Sequence, residues 1–189
     1  VSPDMDMITD IVDVSFEFLP LGTDLKSVPK PIKNYSILKL YHMTDETMAK
    51  VSFAGVNEAC PGDKVFGRVR LKEPMAMMRG DRFILRDPAI NATVGGGSIL
   101  LPLAKKRKLM DVGQYQVLDS QDLRKILASI LSGKDTYEID CHTIRLMLNL
   151  SEKGFTEVAG SNEEIVILND RAVLNVNLKN IEQHIVNTI

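Results

Sequence analysis

The sequence predicts a mainly β domain, a closed barrel or a sandwich, followed by a small α+β domain. Three observations lead there. Apolar and polar residues alternate in short runs up to about residue 101. Turn signals rich in Gly, Pro and Asp separate those runs at roughly regular spacing. From Ser120 the apolar period changes from that of a strand to that of a helix.

The elements follow in order. Val12, Val14, Phe16 and Phe18 alternate with Asp13, Ser15 and Glu17, which reads as a half-buried strand ended by Leu19-Pro20-Leu21-Gly22. After a loop with Pro29 and Pro31, Ser36 to His42 and Thr47 to Ala54 read as strands, with Asp45-Glu46 as the turn between them. Pro61-Gly62-Asp63 turns the chain into a strand over Lys64 to Lys72, and Arg79-Gly80-Asp81 into another over Arg82 to Arg86. Thr93 to Leu101 is the last strand, so a β domain is expected over residues 1–103.

Lys105, Lys106, Arg107 and Lys108 form a basic run on an expected linker over 104–118. In the second domain, 119–189, Leu123, Ile126, Leu127, Ile130 and Leu131 give one helical face, with Asp119 or Ser120 as cap and Gly133 as stop. Thr136 to Ile139 reads as a short strand and Cys141 to about Lys153 as a second helix, capped by Asp140 and stopped by Gly154. Phe155 to Ala159 and Ile165 to Leu168 read as a hairpin, and Leu178 to Val186 as a closing helix. Helices followed by a hairpin suggest a winged-helix-like module with its middle helix short or missing.

Composition excludes several classes. With 44% hydrophobic and 25% charged residues the chain can bury a core. No run of eighteen apolar residues suggests a membrane span, and the acidic N-terminus does not read as a signal peptide. A start without Met reads as a piece of a longer protein. Cys60 and Cys141 stand alone, which fits a reducing cytoplasmic compartment. A net charge of −2 leaves any RNA contact to a local patch.

No catalytic or metal site is expected. His42, His142 and His184 are scattered, and Cys141 beside His142 lacks a second ligand pair. Gly95, Gly96 and Gly97 precede strand residues rather than a helix, and GxxxxGK[ST] is absent, so a phosphate loop is not expected. Glycine inside a strand marks a bulge or a close backbone approach. Arg68 and Arg70 share one strand face and can bind phosphate in bidentate fashion. Nearby acids, Asp63, Glu73, Asp81 and Asp87, can instead pair with these arginines and above all with Arg82 and Arg86. Arg145 and Lys153 are offset by Asp140 and Glu152, a poor groove-binding surface. Met75, Met77 and Met78 are candidates for an apolar docking surface.

The stretch "ACPGDKVFGRVRLKEPMAMMRGDRFILRDPAINATVGGGSILLP" resembles the third domain of elongation factors that carry aminoacyl-tRNA, the barrel of elongation factor Tu. Pro61-Gly62-Asp63, Pro74, the run Gly80 to Arg86, and Thr93-Val94-Gly95-Gly96-Gly97 carry the likeness. The triple glycine and the following module are similar to the selenocysteine-specific branch. The resemblance implies a β-barrel that touches the T-arm side of selenocysteyl-tRNA, with Gly95 to Gly97 near the RNA backbone or serving barrel closure only. It makes Arg68, Arg70, Gly95, Gly96, Gly97, Lys105, Lys106, Arg107 and Lys108 the candidate tRNA-binding residues. It also implies other domains of the same factor and the ribosome as partners, with the mRNA hairpin read by later domains. GTP and Mg would belong to a separate GTPase domain, so no enzyme activity or cofactor is expected here. A docking scaffold without RNA contact, or a DNA-binding winged-helix regulator, are the alternatives.

Overall fold

The computed structural model describes residues 8–20, 30–104, 111–132 and 138–178. The chain divides into two compact units, residues 1–119 and 120–189. In the first unit the strands are β1 (Ile8–Phe18), β2 (Ile32–Lys33), β3 (Ile37–His42), β4 (Asp45–Phe53), β5 (Glu58–Ala59), β6 (Lys64–Ala76), β7 (Arg82–Asp87) and β8 (Ala92–Leu101). Six of them close into an antiparallel barrel in the order β1-β6-β4-β3-β7-β8, while β2 and β5 pair separately. Of the two architectures open from the sequence, the structure is the barrel. The turn between β3 and β4 falls on Met43-Thr44 rather than Asp45-Glu46, with Met43 at φ 50°.

The barrel interior holds a cluster of four phenylalanines. Phe16 meets Phe53 and Phe83 edge-on at 5.3 and 6.1 Å between ring centroids, and Phe18 meets Phe53 at 5.8 Å. Rings this large need room on the facing strands, and glycine supplies it. Gly97 lies opposite both Phe16 and Phe83, Gly95 opposite Phe18, and Gly67 opposite Phe53. The strands approach so closely that a methyl group on Gly97 would sit 2.0 Å from the Ser15 carbonyl oxygen and 2.8 Å from the Phe83 ring. One on Gly95 would sit 2.5 Å from the Glu17 carbonyl oxygen, and one on Gly96 2.3 Å from that of Phe83. Gly67 on β6 is equally confined, 1.9 Å from the Ser52 carbonyl oxygen.

β1 departs from the half-buried expectation. Val12, Val14 and Phe16 face the interior, but Ile11, Asp13 and Ser15 on the other side are buried too. The cover is α1 (Val112–Asp119), all of which but Asp119 lies in the stretch expected as linker. Its Tyr115 is fully buried and stacks on Phe66 of β6 at 5.9 Å with rings nearly parallel. The expected linker over 104–118 is therefore helix in its second half, part of the barrel unit. Lys105, Lys106, Arg107 and Lys108 lie outside the described residues.

The second unit contains α2 (Leu123–Leu131), β9 (Glu138–Asp140), α3 (Cys141–Leu148), α4 (Glu152–Gly160), β10 (Ile165–Leu168) and β11 (Arg171–Leu174). The order helix, strand, helix, helix, strand, strand is that of a winged helix, with a three-stranded sheet β10-β11-β9. Its core is Ile126, Leu127, Leu131 and Ile144. The cap of α2 is Asp122, whose carboxylate accepts from Arg124 and Lys125 backbone N–H groups, not Asp119 or Ser120.

The long second helix is two helices. Asn149 adopts the left-handed conformation (φ 54°) and ends α3, a conformation asparagine tolerates well. Ser151 then accepts from Gly154 N–H and opens α4. Gly154 is thus inside a helix, and Phe155 to Ala159 is helical with both end residues buried on one face, so the expected strand there is overturned. The middle helix is present as α3. The wing is instead Ile165 to Leu174, turning at Asn169 (φ 47°) and Asp170 (φ 63°). The closing helix expected over 178–186 lies almost wholly outside the described residues.

Two expected outcomes test this packing. Replacing Gly97 by Ala should lower stability by about 1–3 kcal/mol, as overpacking does, read as a lower urea midpoint with unchanged slope. Asp140 caps α3 by accepting from Thr143 N–H at 2.7 Å, and those hydrogen bonds hold its carboxyl below the ordinary carboxylate range. Asp140→Ala should cost about 1 kcal/mol at neutral pH. Because the folded-state pKa is depressed, that difference is present above the ordinary carboxylate value and fades as pH falls through the folded one. A pH series of melting curves on both proteins checks it.

Candidate nucleic-acid interface

Arg68 and Arg70 both project outward from β6, two residues apart, yet their surroundings differ. Arg68 is buried under α1. Its Nε and Nη2 donate to the two carboxylate oxygens of Asp13 at 2.8 and 3.2 Å, and Tyr115 Oη donates to the same carboxylate at 2.9 Å. Burial opposes the Arg68 charge, but Asp13 outweighs it and lifts the guanidinium pKa further above its ordinary value. A guanidinium so enclosed cannot reach an external phosphate, which removes Arg68 from the candidates. Its work is to pin α1. Arg79 does likewise, donating to the Leu100 and Leu118 carbonyls, the latter in the last turn of α1. A cation there also opposes the helix dipole favourably.

Arg70 is exposed. It lies opposite Lys50 of β4, also exposed, and Lys50 lies opposite Ile37 of β3, 60% exposed. Side chains paired this way have Cβ atoms roughly 5 Å apart. No carboxylate among the described residues forms an ion pair with Arg70 or Lys50. Two residues along, Lys39 and Arg86 are opposite each other. Here Glu46 intervenes, 2.6 Å from Lys39 Nζ; this hydrogen bond raises the lysine pKa and lowers that of Glu46. The outer wall of β6, β4 and β3 therefore presents Arg70 and Lys50 with no carboxylate partner among the described residues, and Lys39 paired with Glu46.

The other candidates divide as follows. Gly95, Gly96 and Gly97 face neighbouring strands, so the close approach they permit is within the barrel. Arg82 and Arg86 sit on β7, which pairs with β3 and β8 and not with β6, so their face does not join that of Arg70 directly. Three of the four acids expected to neutralise them are occupied in turns. Asp63 accepts from Cys60 N–H, Asp87 from Ala89 N–H, and Asp81 from Met78 N–H and the buried His42 ring at 3.0 Å. Arg86 donates to the Asn91 carbonyl at 2.9 Å. Met75 and Met77 fill the core and only Met78 is exposed. Lys50, Lys39 and Gly67 were missed in the sequence, though Lys50 carries a detectable signal: it stands at an outward position of an alternating strand.

In the second unit, the exposed side of α4 offers Glu152, Lys153 and Glu157, and the wing offers Asp170 with Arg171, whose guanidinium Glu138 holds at 2.6 Å. Acid outweighs base on this surface. Cys141 is buried, and burial followed by Asp170 pushes its thiol pKa up. Among the described residues no group of three potential ligands could hold a metal, and no helix is long and apolar enough to cross a membrane.

The two arginines should separate cleanly by substitution. Arg68→Ala leaves Asp13 buried and unpaired, a loss of about 3–5 kcal/mol, whereas Arg70→Ala should stay within about 0.5 kcal/mol of the parent. Thermal unfolding of both variants measures the difference.

Comparison with known proteins agrees with this architecture. Residues 23–106 match the family model "Selenocysteine-specific elongation factor, beta-barrel domain". A selenocysteine-specific elongation factor of Desulfomicrobium baculatum is 28% identical over 133 residues, 69% of this chain and 21% of that protein. The chain thus spans about a fifth of the length of the curated relative it matches. A crystal structure of a bacterial selenocysteine-specific elongation factor, EF-Sec, superposes with a TM-score of 0.61 and 19% identity, over 96% of this chain and 26% of that one. That likeness is one of fold. Over residues 23–106 this chain is similar to the β-barrel domain of selenocysteine-specific elongation factors.

Proposed function

We propose that the chain is the third-domain barrel and one winged-helix module of a selenocysteine-specific elongation factor. On this reading the barrel helps hold selenocysteyl-tRNA beside the GTPase, and the winged module links that grip to the mRNA-hairpin-reading end. The likeness of the barrel to that family's β-barrel domain, together with Arg70 and Lys50 exposed on its wall, supports it. The chain itself would not hydrolyse GTP; GTP and Mg would bind a separate domain of the factor. Ribosome and remaining domains are its further partners, in the cytoplasm. The acidic exposed face of α4 fits a spacer better than a groove-reading module, since phosphate contacts supply most non-specific affinity.

A docking role without RNA is the second reading, and Met43, 82% exposed at the β3–β4 turn, with Ile84 and Ile90 favours it. A titration of the chain against selenocysteine tRNA, an ordinary elongator tRNA and the mRNA hairpin, each at low and moderate salt, decides between the two. The tRNA reading expects binding to tRNA but not to the hairpin, weakening as salt rises. Absence of binding to any RNA would favour docking.

A further inference from the structure

Tyr35 stands in the tight turn between β2 and β3 with φ 69°, in the left-handed region that a bulky side chain rarely adopts. Such strain persists only where neighbouring contacts enforce it, and here they do. Asn34 N–H donates to the Asn57 carbonyl at 2.7 Å, and Tyr35 N–H to the Val51 carbonyl at 2.9 Å. The Asn34 side chain accepts from Phe53 N–H at 3.0 Å and donates to the Val56 carbonyl at 3.4 Å. Glycine would adopt this conformation without cost. The chain instead carries a tyrosine that is 60% exposed.

The ring does not stand alone. Lys50 Nζ lies over one face of the ring, 5.2 Å from its centroid, and Lys50 is the register partner of the exposed Arg70. Lys33, also exposed, precedes the turn and is opposite Glu58, the one carboxylate of that short ladder. An aromatic ring with one cation over a face and a second cation nearby has the chemistry of a nucleotide site: the base stacks on the face away from Lys50 and the flanking phosphates meet the cations. The site centres on β4. In the barrel order β4 is three strands from β8 in either direction, so this wall is opposite the triple glycine.

We propose that Tyr35, Lys50 and Arg70 form a binding site for an unpaired nucleotide of an RNA strand, on the barrel wall opposite Gly95 to Gly97. The proposal rests on reading the barrel as an RNA-contacting domain, but it concerns a different wall and a single-stranded partner.

The test uses the whole chain and a fluorescent eight-residue oligouridylate at low salt, followed by anisotropy. Tyr35→Gly removes the ring and relieves the backbone, so its melting temperature should equal or exceed that of the parent. Its affinity for the oligonucleotide should fall about tenfold, the scale of one base stacked on an aromatic ring. Tyr35→Phe should stay within about twofold of the parent, because stacking needs the ring and not the hydroxyl. Lys50→Glu with Arg70→Glu should weaken binding and flatten its salt dependence.

Undiminished binding by Tyr35→Gly would overturn the proposal, even if the charge reversals weaken binding, since the patch would then hold phosphate without a base. Binding of selenocysteine tRNA without binding of the oligonucleotide would overturn it and leave the tRNA reading standing. Binding of the oligonucleotide that depends on Tyr35, without binding of tRNA, would support this site and remove the tRNA reading instead.

Discussion

The interior of the barrel is a problem of volume. Four phenylalanine rings converge within a closed six-stranded wall, and strands that approach closely enough to seal it leave no space for Cβ atoms beneath them. Gly67, Gly95 and Gly97 resolve the conflict at the positions opposite the rings. Every outward position inherits its place from this seam. Because side chains alternate strictly along a strand, fixing Phe53 inward fixes Lys50 outward, and fixing Gly67 and Val69 inward fixes Arg68 and Arg70 outward.

Burial then assigns different duties to outward residues of the same type. The short helix α1 contributes Tyr115 and Leu118 as its buried apolar anchors and depends otherwise on polar partners. Asp13, Arg68 and Tyr115 form a satisfied buried network, and Arg79 and Lys64 hold the helix end, the latter through Asp119 at 3.3 Å. A buried ion pair adds little net stability over an apolar contact of the same size, but it tolerates few arrangements. Its contribution is therefore to the position of α1. The same wall, two residues along β6 and β4, is left open to solvent and charged.

The strands of the barrel were legible because their alternation is strict where one side faces a core and the other faces water. β1 lost that property on account of α1, whose sequence, Val-Gly-Gln-Tyr-Gln-Val-Leu-Asp, shows no broad apolar stripe. Nothing in Arg68 and Arg70 distinguishes them at the level of sequence; a helix more than forty residues downstream covers one and not the other. In the second unit Phe155, Val158 and Ala159 suit a strand as readily as one turn of helix, and the N-cap bond from Ser151 decides between them. The triple glycine was legible as a close approach, but what approaches is the neighbouring backbone, a fact that depends on pairings absent from any local window.

Closure of the barrel has a consequence for how it can be recognised. An open sheet offers a row of unpaired N–H and C=O groups to which a foreign strand can add, and a closed one has no such border. A partner of this barrel wall cannot be gripped by main-chain ladder bonds. It must be met by side chains and by the turns that join the strands, so affinity for it can be tuned one residue at a time without disturbing the hydrogen bonds that hold the domain together.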